Sequence, residues 1–135
     1  MIAKGISDYL ATRSVGTFGV NMFVSNIPDQ PDNCFTLFDE PAPIDDYMHS
    51  FGTDNFGVQV ITRGSYSYAR DKIFQIHKEL KMLGGVTLDS IYIVDTQVQT
   101  MPSRYDNDEK GRREYTAHYI FTCNVAGYNL AQTTT

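Results

Sequence analysis

The side chains that could do chemistry in this chain are three histidines, two cysteines and a knot of charge around residue 108. An enzyme needs polar groups that converge. His49, His77 and His118 are scattered instead. His77 follows Ile76 in a helical pattern, and His118 falls on the polar side of an alternating run, so each reads as a satisfied or solvent-facing imidazole. No GxSxG, P-loop, GxGxxG or HExxH pattern is present. Asp106-Asn107-Asp108-Glu109-Lys110-Gly111 opens like a calcium loop. Lys110 then stands at the fifth position and Ala117 at the twelfth, where oxygen ligands are required, so the motif fails. Asp108-Glu109-Lys110 also mimics the acidic-x-Lys end of a metal-dependent nuclease site. That site needs an upstream carboxylate on a paired strand, and the candidate, Asp32, sits among turn residues. The plainer reading is a charged connection in which Lys110, Arg112 and Arg113 offset Asp106, Asp108, Glu109 and Glu114. No catalytic residue, metal or cofactor is expected.

The elements that would position these residues follow from periodicity. Ile2, Ala3, Ile6 and Leu10 predict a short helix over 2–12, ended by Gly16 and Gly19. Val20, Met22 and Val24 alternate in a first strand, and Cys34–Phe38 is a second. Between them, residues 26–33 hold two prolines and two aspartates and form a loop. Residues 39–55 carry five acids (Asp39, Glu40, Asp45, Asp46 and Asp54) with no Lys or Arg. They read equally as a solvated acidic loop or a contact loop. Phe56–Arg63 is a third strand. Ala69, Ile73, Ile76, Leu80 and Leu83 form one buried stripe and predict the main helix over 66–83, with Ser65 or Ser67 as N-cap and Gly84-Gly85 beyond its end. A long hairpin follows. Tyr92, Val94, Thr96 and Val98 share one face of its first strand, and Tyr115, Ala117, Tyr119, Phe121, Cys123 and Val125 share one face of its second. Residues 102–111 connect them and are polar and charged.

This order predicts an α+β fold, a mostly antiparallel sheet of about five strands with the main helix and the short N-terminal helix packed on it. One parallel pair could arise if the Phe56 strand, the main helix and the Tyr92 strand formed a right-handed crossover. The 135 residues are expected to make one domain over 1–126, with a polar tail over 127–135.

Composition narrows the function. Eleven basic against sixteen acidic residues give a net charge of −5, which argues against sequence-specific nucleic-acid binding and against a membrane surface. Nine Tyr and eight Phe with no Trp suit sheets and contact surfaces. Cys34 and Cys123 match no metal or disulfide framework and read as free buried thiols. No apolar run approaches the roughly 18 residues of a membrane span. A soluble protein made in the cytosol is expected.

Several segments together carry a resemblance: Phe35-Thr36-Leu37-Phe38-Asp39, Gly57-Val58-Gln59-Val60-Ile61-Thr62-Arg63-Gly64, Tyr66-x-x-Ala69 and Asp108-Glu109-x-Gly111-Arg112-x-x-Tyr115-Thr116. In this order, over about residues 2–126, the chain resembles the minor capsid and tail-terminator proteins of long-tailed bacteriophages. It departs from them at Glu40-Pro41-Ala42-Pro43, where the family often has a Gly-rich turn, and at His118, where it often has Asn. The resemblance implies a structural virion protein of the tail and neck. Such a protein caps the head-proximal end of the tail tube, stops its polymerisation and offers a joining surface to the head. The implied partners are the tail-tube protein, a head-completion or connector protein, and further copies of itself in a six-membered ring. A ring of identical subunits needs two different surfaces that meet head to tail. The 39–55 and 102–113 loops are therefore expected to carry contacts, through Asp39, Asp45, Asp46, Asp106, Asp108 and Glu109. Arg63, Arg112 and Arg113 are the expected cross-subunit donors, because a guanidinium forks onto carboxylates. For Arg63 a partner within the chain is an equal alternative. A head-completion or connector protein docking on the portal, a metal-dependent nuclease and a generic binding domain stay open as rivals.

Overall fold

The computed structural model describes residues 2–42 and 53–125. Its elements are α1 (Ala3–Thr12), β1 (Met22–Val24), β2 (Cys34–Glu40), β3 (Asp54–Gly64), α2 (Tyr66–Leu80), β4 (Val86–Leu88), β5 (Ile91–Asn107) and β6 (Arg113–Val125). One six-stranded sheet runs in the order β1-β2-β3-β6-β5-β4. It is antiparallel except for the β1–β2 pair. The chain is α+β, as the pattern of strands and helices predicts. The parallel pair lies elsewhere than the crossover reading put it, because β6 inserts between β3 and β5 and pairs with both.

Both helices pack on one face of the sheet. From α2, Ile73, Ile76 and Leu80 meet Val58, Val60, Ala117, Tyr119 and Phe121 in a continuous core. From α1, Ile2, Ile6 and Leu10 join Phe35 and Leu37. Each such side chain contributes about 1.5–3 kcal/mol when fully buried. The stripe on α2 is as its spacing requires, and Ser65 is its N-cap, accepting from the Tyr68 amide at 3.3 Å. The helix ends at Leu80 rather than Leu83. Leu83 is nonetheless buried, so the last residue of the stripe packs from a turn. Within the core, His77 Nδ1 lies 2.8 Å from the Tyr119 hydroxyl, so this imidazole is a satisfied core group. Burial first, and the charge of Lys81 second, hold its pKa below the ordinary value. Cys34 and Cys123 are free and buried, and burial pushes the Cys123 thiol up to about 12.

Three expectations are corrected. Val20 is 63% exposed and lies in a turn, so β1 has three residues. α1 ends not at a glycine but at Ser14, whose φ is +60°. There the Val15 amide reaches Leu10 O and the Ser14 amide reaches Ala11 O, a Schellman closure with serine in the left-handed position. The third concerns β5, which buries Ile91 and Ile93 while Tyr92 and Val94 are exposed. Ile93 pairs with Cys123 and Asp95 with Thr122, so one extra residue intervenes on β5. This bulge inverts the side-chain phase and turns Thr96 inward. β5 also continues through Asn107, so residues 102–107, expected to be loop, are strand. The sixth strand, β4, is joined to β5 by Asp89 and Ser90, both at positive φ, as a two-residue hairpin turn demands.

α1 has no local side-chain cap. Its first amides are capped from β2, where Asp39 Oδ1 accepts from Ile2 N and Ala3 N at 2.9 Å each. Burial works to raise the Asp39 pKa, and donors at the helix start, these amides among them, outweigh it, so the carboxyl titrates below 3.8. We expect Asp39→Ala to cost about 1 kcal/mol, the usual worth of such a cap. A depressed carboxyl stabilises fully above its unfolded pKa and stops doing so as pH falls through the lower folded value. Chemical denaturation across pH should therefore show wild type and variant separated at neutral pH and converging in strong acid.

Candidate functional site

The charged residues singled out in the sequence gather where three pieces of chain meet: the 25–33 loop, the end of β3 and the β5–β6 turn. The turn is built by its own sequence. The Gly111 amide donates to Asp108 O at 3.0 Å, and the Asp108 amide donates to Arg112 O at 3.0 Å. This closes a three-residue loop whose last residue, Gly111, has φ +76°. Asp108 Oδ1 accepts from the amides of Lys110 (3.0 Å) and Arg112 (2.8 Å). The Asp-Glu-x-Gly-Arg string is thus a turn with a side-chain clasp.

Arg112 leaves this turn and crosses to the 25–33 loop. Its Nε donates to Asp108 Oδ2 at 2.6 Å and its Nη1 to Asp32 Oδ1 at 3.0 Å. Its Nη2 reaches Asp29 Oδ1 at 3.4 Å, and Nη1 also donates to the Asp29 carbonyl. Its side chain is only 12% exposed. Burial opposes the charge, but hydrogen bonds to Asp108 and Asp32 outweigh it and raise the Arg112 pKa. Lys110 Nζ adds a contact to Asp29 Oδ2 at 2.8 Å. That bond, with the Lys110 charge, holds the Asp29 carboxyl below its ordinary value.

Arg63 lies beneath, almost wholly buried at the end of β3. It donates to three carbonyls of the same loop, Pro31 at 2.7 Å and Asp29 and Asp32 at 3.3 Å each. Its cross-strand neighbour Glu114 has its pKa raised by burial first and by Asp108, against the pull of Arg63. Next in line, Gly64 passes so close to Asn33 that an added Cβ would stand 2.2 Å from Asn33 Oδ1. That oxygen accepts the Ser65 amide at 3.1 Å, which fixes the start of α2.

The structure therefore brings Arg63, Asp108 and Arg112 together and places Glu109 exposed at the turn. Arg113 is exposed at the start of β6, and exposed Asp106 accepts from the Asn107 amide. Asp39 lies apart, at the start of α1. Asp45 and Asp46 fall outside the described residues. Asp29 and Asn33 were missed as site residues, since nothing in a Pro- and Asp-rich loop says which carboxylate meets which distant arginine. For Arg63 the partner is within the chain. Arg112 likewise spends its guanidinium on partners within the chain. Asp32 shares the Arg112 guanidinium with Asp108, but it lies in a loop and not on the paired strand that the nuclease reading required. The position between the carboxylates is filled by the Arg112 guanidinium, and among the described residues no group of three His, Cys, Asp or Glu could hold a metal. His118 also has a partner, with Nδ1 2.7 Å from Glu40 Oε1. No helix among the described residues is long and apolar enough to cross a membrane.

Arg112→Gln should lower the melting temperature and speed amide exchange in both the 25–33 loop and the 108–112 turn. The difference from wild type should shrink between 50 mM and 1 M salt, since exposed Asp29 and Asp32 are screened. Gly64→Ala should cost about 1–3 kcal/mol by overpacking against Asn33, with no such salt dependence.

The arrangement is a polar clasp between segments, built for shape. The model of one protein family, described as bacteriophage tail terminator protein, matches residues 9–125. No curated protein matches the chain at a significant level. The matched span contains every strand of the sheet, α2 and the whole clasp, and on that span the chain belongs to the bacteriophage tail terminator family.

Proposed function

We propose that this structural phage protein caps the head-proximal end of a tail tube, stops its polymerisation and forms the surface to which the head joins, as a closed six-membered ring. The observation that carries this reading is the family match over residues 9–125, which spans all six strands. The physical character of the clasp supports it. A cap must hold a fixed outline while it waits for a finished tube, and such an outline follows where Arg112 ties the β5–β6 turn, and Arg63 the end of β3, to the 25–33 loop. In this reading these two arginines shape the contact surface. The exposed Asp106, Glu109 and Arg113 beside them meet neighbouring molecules. The 39–55 segment, with Asp45 and Asp46, is a second contact. Six repeated weak contacts act together through effective concentration, so a single subunit stays soluble while the ring holds. The protein's place is the tail and neck of the virion, with tail-tube protein on one side and a head-completion or connector protein on the other.

The test is to inactivate the gene in its phage and image the products. Tails of uncontrolled length, unjoined to heads, are expected, and purified protein added to extracts should restore joining. Tails of normal length, or purified protein that binds filled heads and ignores tail tubes, would overturn the proposal.

A further inference from the structure

The outer side of α2 carries an exposed ridge, on which Arg70 makes a solvent-exposed ion pair with the neighbouring Asp71 at 3.3 Å. Tyr66, Arg70 and Phe74 stand one turn apart along it, with Lys78 beyond. Tyr66 is 57% exposed and Phe74 44%, and the Arg70 guanidinium lies 5.5 Å from the Phe74 ring centroid. Tyrosine, phenylalanine and arginine are the residues that interfaces enrich. The charge of this stretch runs against the rest of the molecule. Residues 66–82 hold four cations (Arg70, Lys72, Lys78 and Lys81) against two acids (Asp71 and Glu79), whereas the whole chain carries −5. The remainder is therefore at −7.

A surface of the opposite character lies along β5. Beyond Ile93 this strand has no neighbour from β4; residues 83–85 still lie against it as far as Thr96, and from Gln97 onward it forms the margin of the sheet. Among the described residues, four of the nine exposed large apolar side chains lie on β5: Tyr92, Val94, Met101 and Tyr105. Exposed Asp95 and Asp106 stand among them, with Arg104 as the strand's single cation. A basic, aromatic helix ridge and an acidic, apolar strand margin are two distinct patches on one subunit. That is the requirement for head-to-tail closure.

We infer that the α2 ridge of one subunit seats on the β5 margin of the next, with Phe74 as the central apolar anchor and Lys78 facing Asp95. This rests on the ring reading above and names the two surfaces that close the ring. The charge pairing steers each ridge to a β5 margin and away from another ridge, since two ridges repel.

The test places a photoreactive benzophenone amino acid at position 74 of the full chain, which is then irradiated on purified tail tubes. Melting temperature checks that this exposed substitution leaves the fold intact, and the same probe at Tyr66 provides a second site. The expected product is a crosslink from position 74 to residues 92–106 of another copy. In parallel, Lys78→Glu should reduce ring occupancy on tubes at least fivefold, and adding Asp95→Lys should recover most of it. Crosslinks to the tube protein, or rings on tubes with no crosslink into β5, would overturn this inference and leave the ring reading standing. Absence of any ring would remove both.

Discussion

The Arg112 guanidinium, held among the carboxylates of Asp29, Asp32 and Asp108, joins parts of the chain that local structure would leave independent. A hairpin as long as β5–β6 has an outer end where few side chains reach the core, and most residues from Gln99 to Asn107 are exposed. Its direction is set at the tip instead. One cation surrounded by acids, most of its surface removed from water, suits that task because removing it leaves three like charges facing one another. Arg63 performs the same service one layer down with backbone carbonyls as acceptors, so the 25–33 loop is gripped from two depths.

The consequence for function is that the cluster of charge at the hairpin tip ties segments of the chain together. Carboxylates, a lysine and an arginine within hydrogen-bond reach of one another invite a catalytic or metal-binding interpretation. Here the cation that organises them belongs to the protein. This agrees with membership of a family of structural phage proteins. It also moves attention to the residues that the clasp leaves exposed, Glu109, Arg113 and the β5 margin, and to the aromatic ridge on α2.

Much of the fold was legible because it rests on local periodicity. The four-three spacing of Ala69, Ile73, Ile76 and Leu80 and the strict alternation of Ala117, Tyr119, Phe121 and Cys123 both name the buried face correctly. β5 was misread because alternation carries no phase information across a bulge, and the extra residue between Ile93 and Asp95 has no residue-type signature. The connection between β5 and β6 was read as a long loop, whereas the turn is confined to the residues around Gly111. Turns were hidden where Ser14, Asp89 and Ser90 adopt the left-handed region.

The sequence by itself determined the class of the fold, the two helix faces and the family. Each of these is written in residues a few positions apart or in an ordered set of short motifs. Tertiary structure alone decided the partners: Asp39 capping a helix whose start is 36 residues away, Asp29 and Asp32 meeting Arg112 across some 80 positions, and Asn33 against Gly64. Long-range polar contacts depend on where the sheet order and register bring chain ends together. One-residue changes in register, of the kind that bulges make, move a side chain to the other face and change whom it meets.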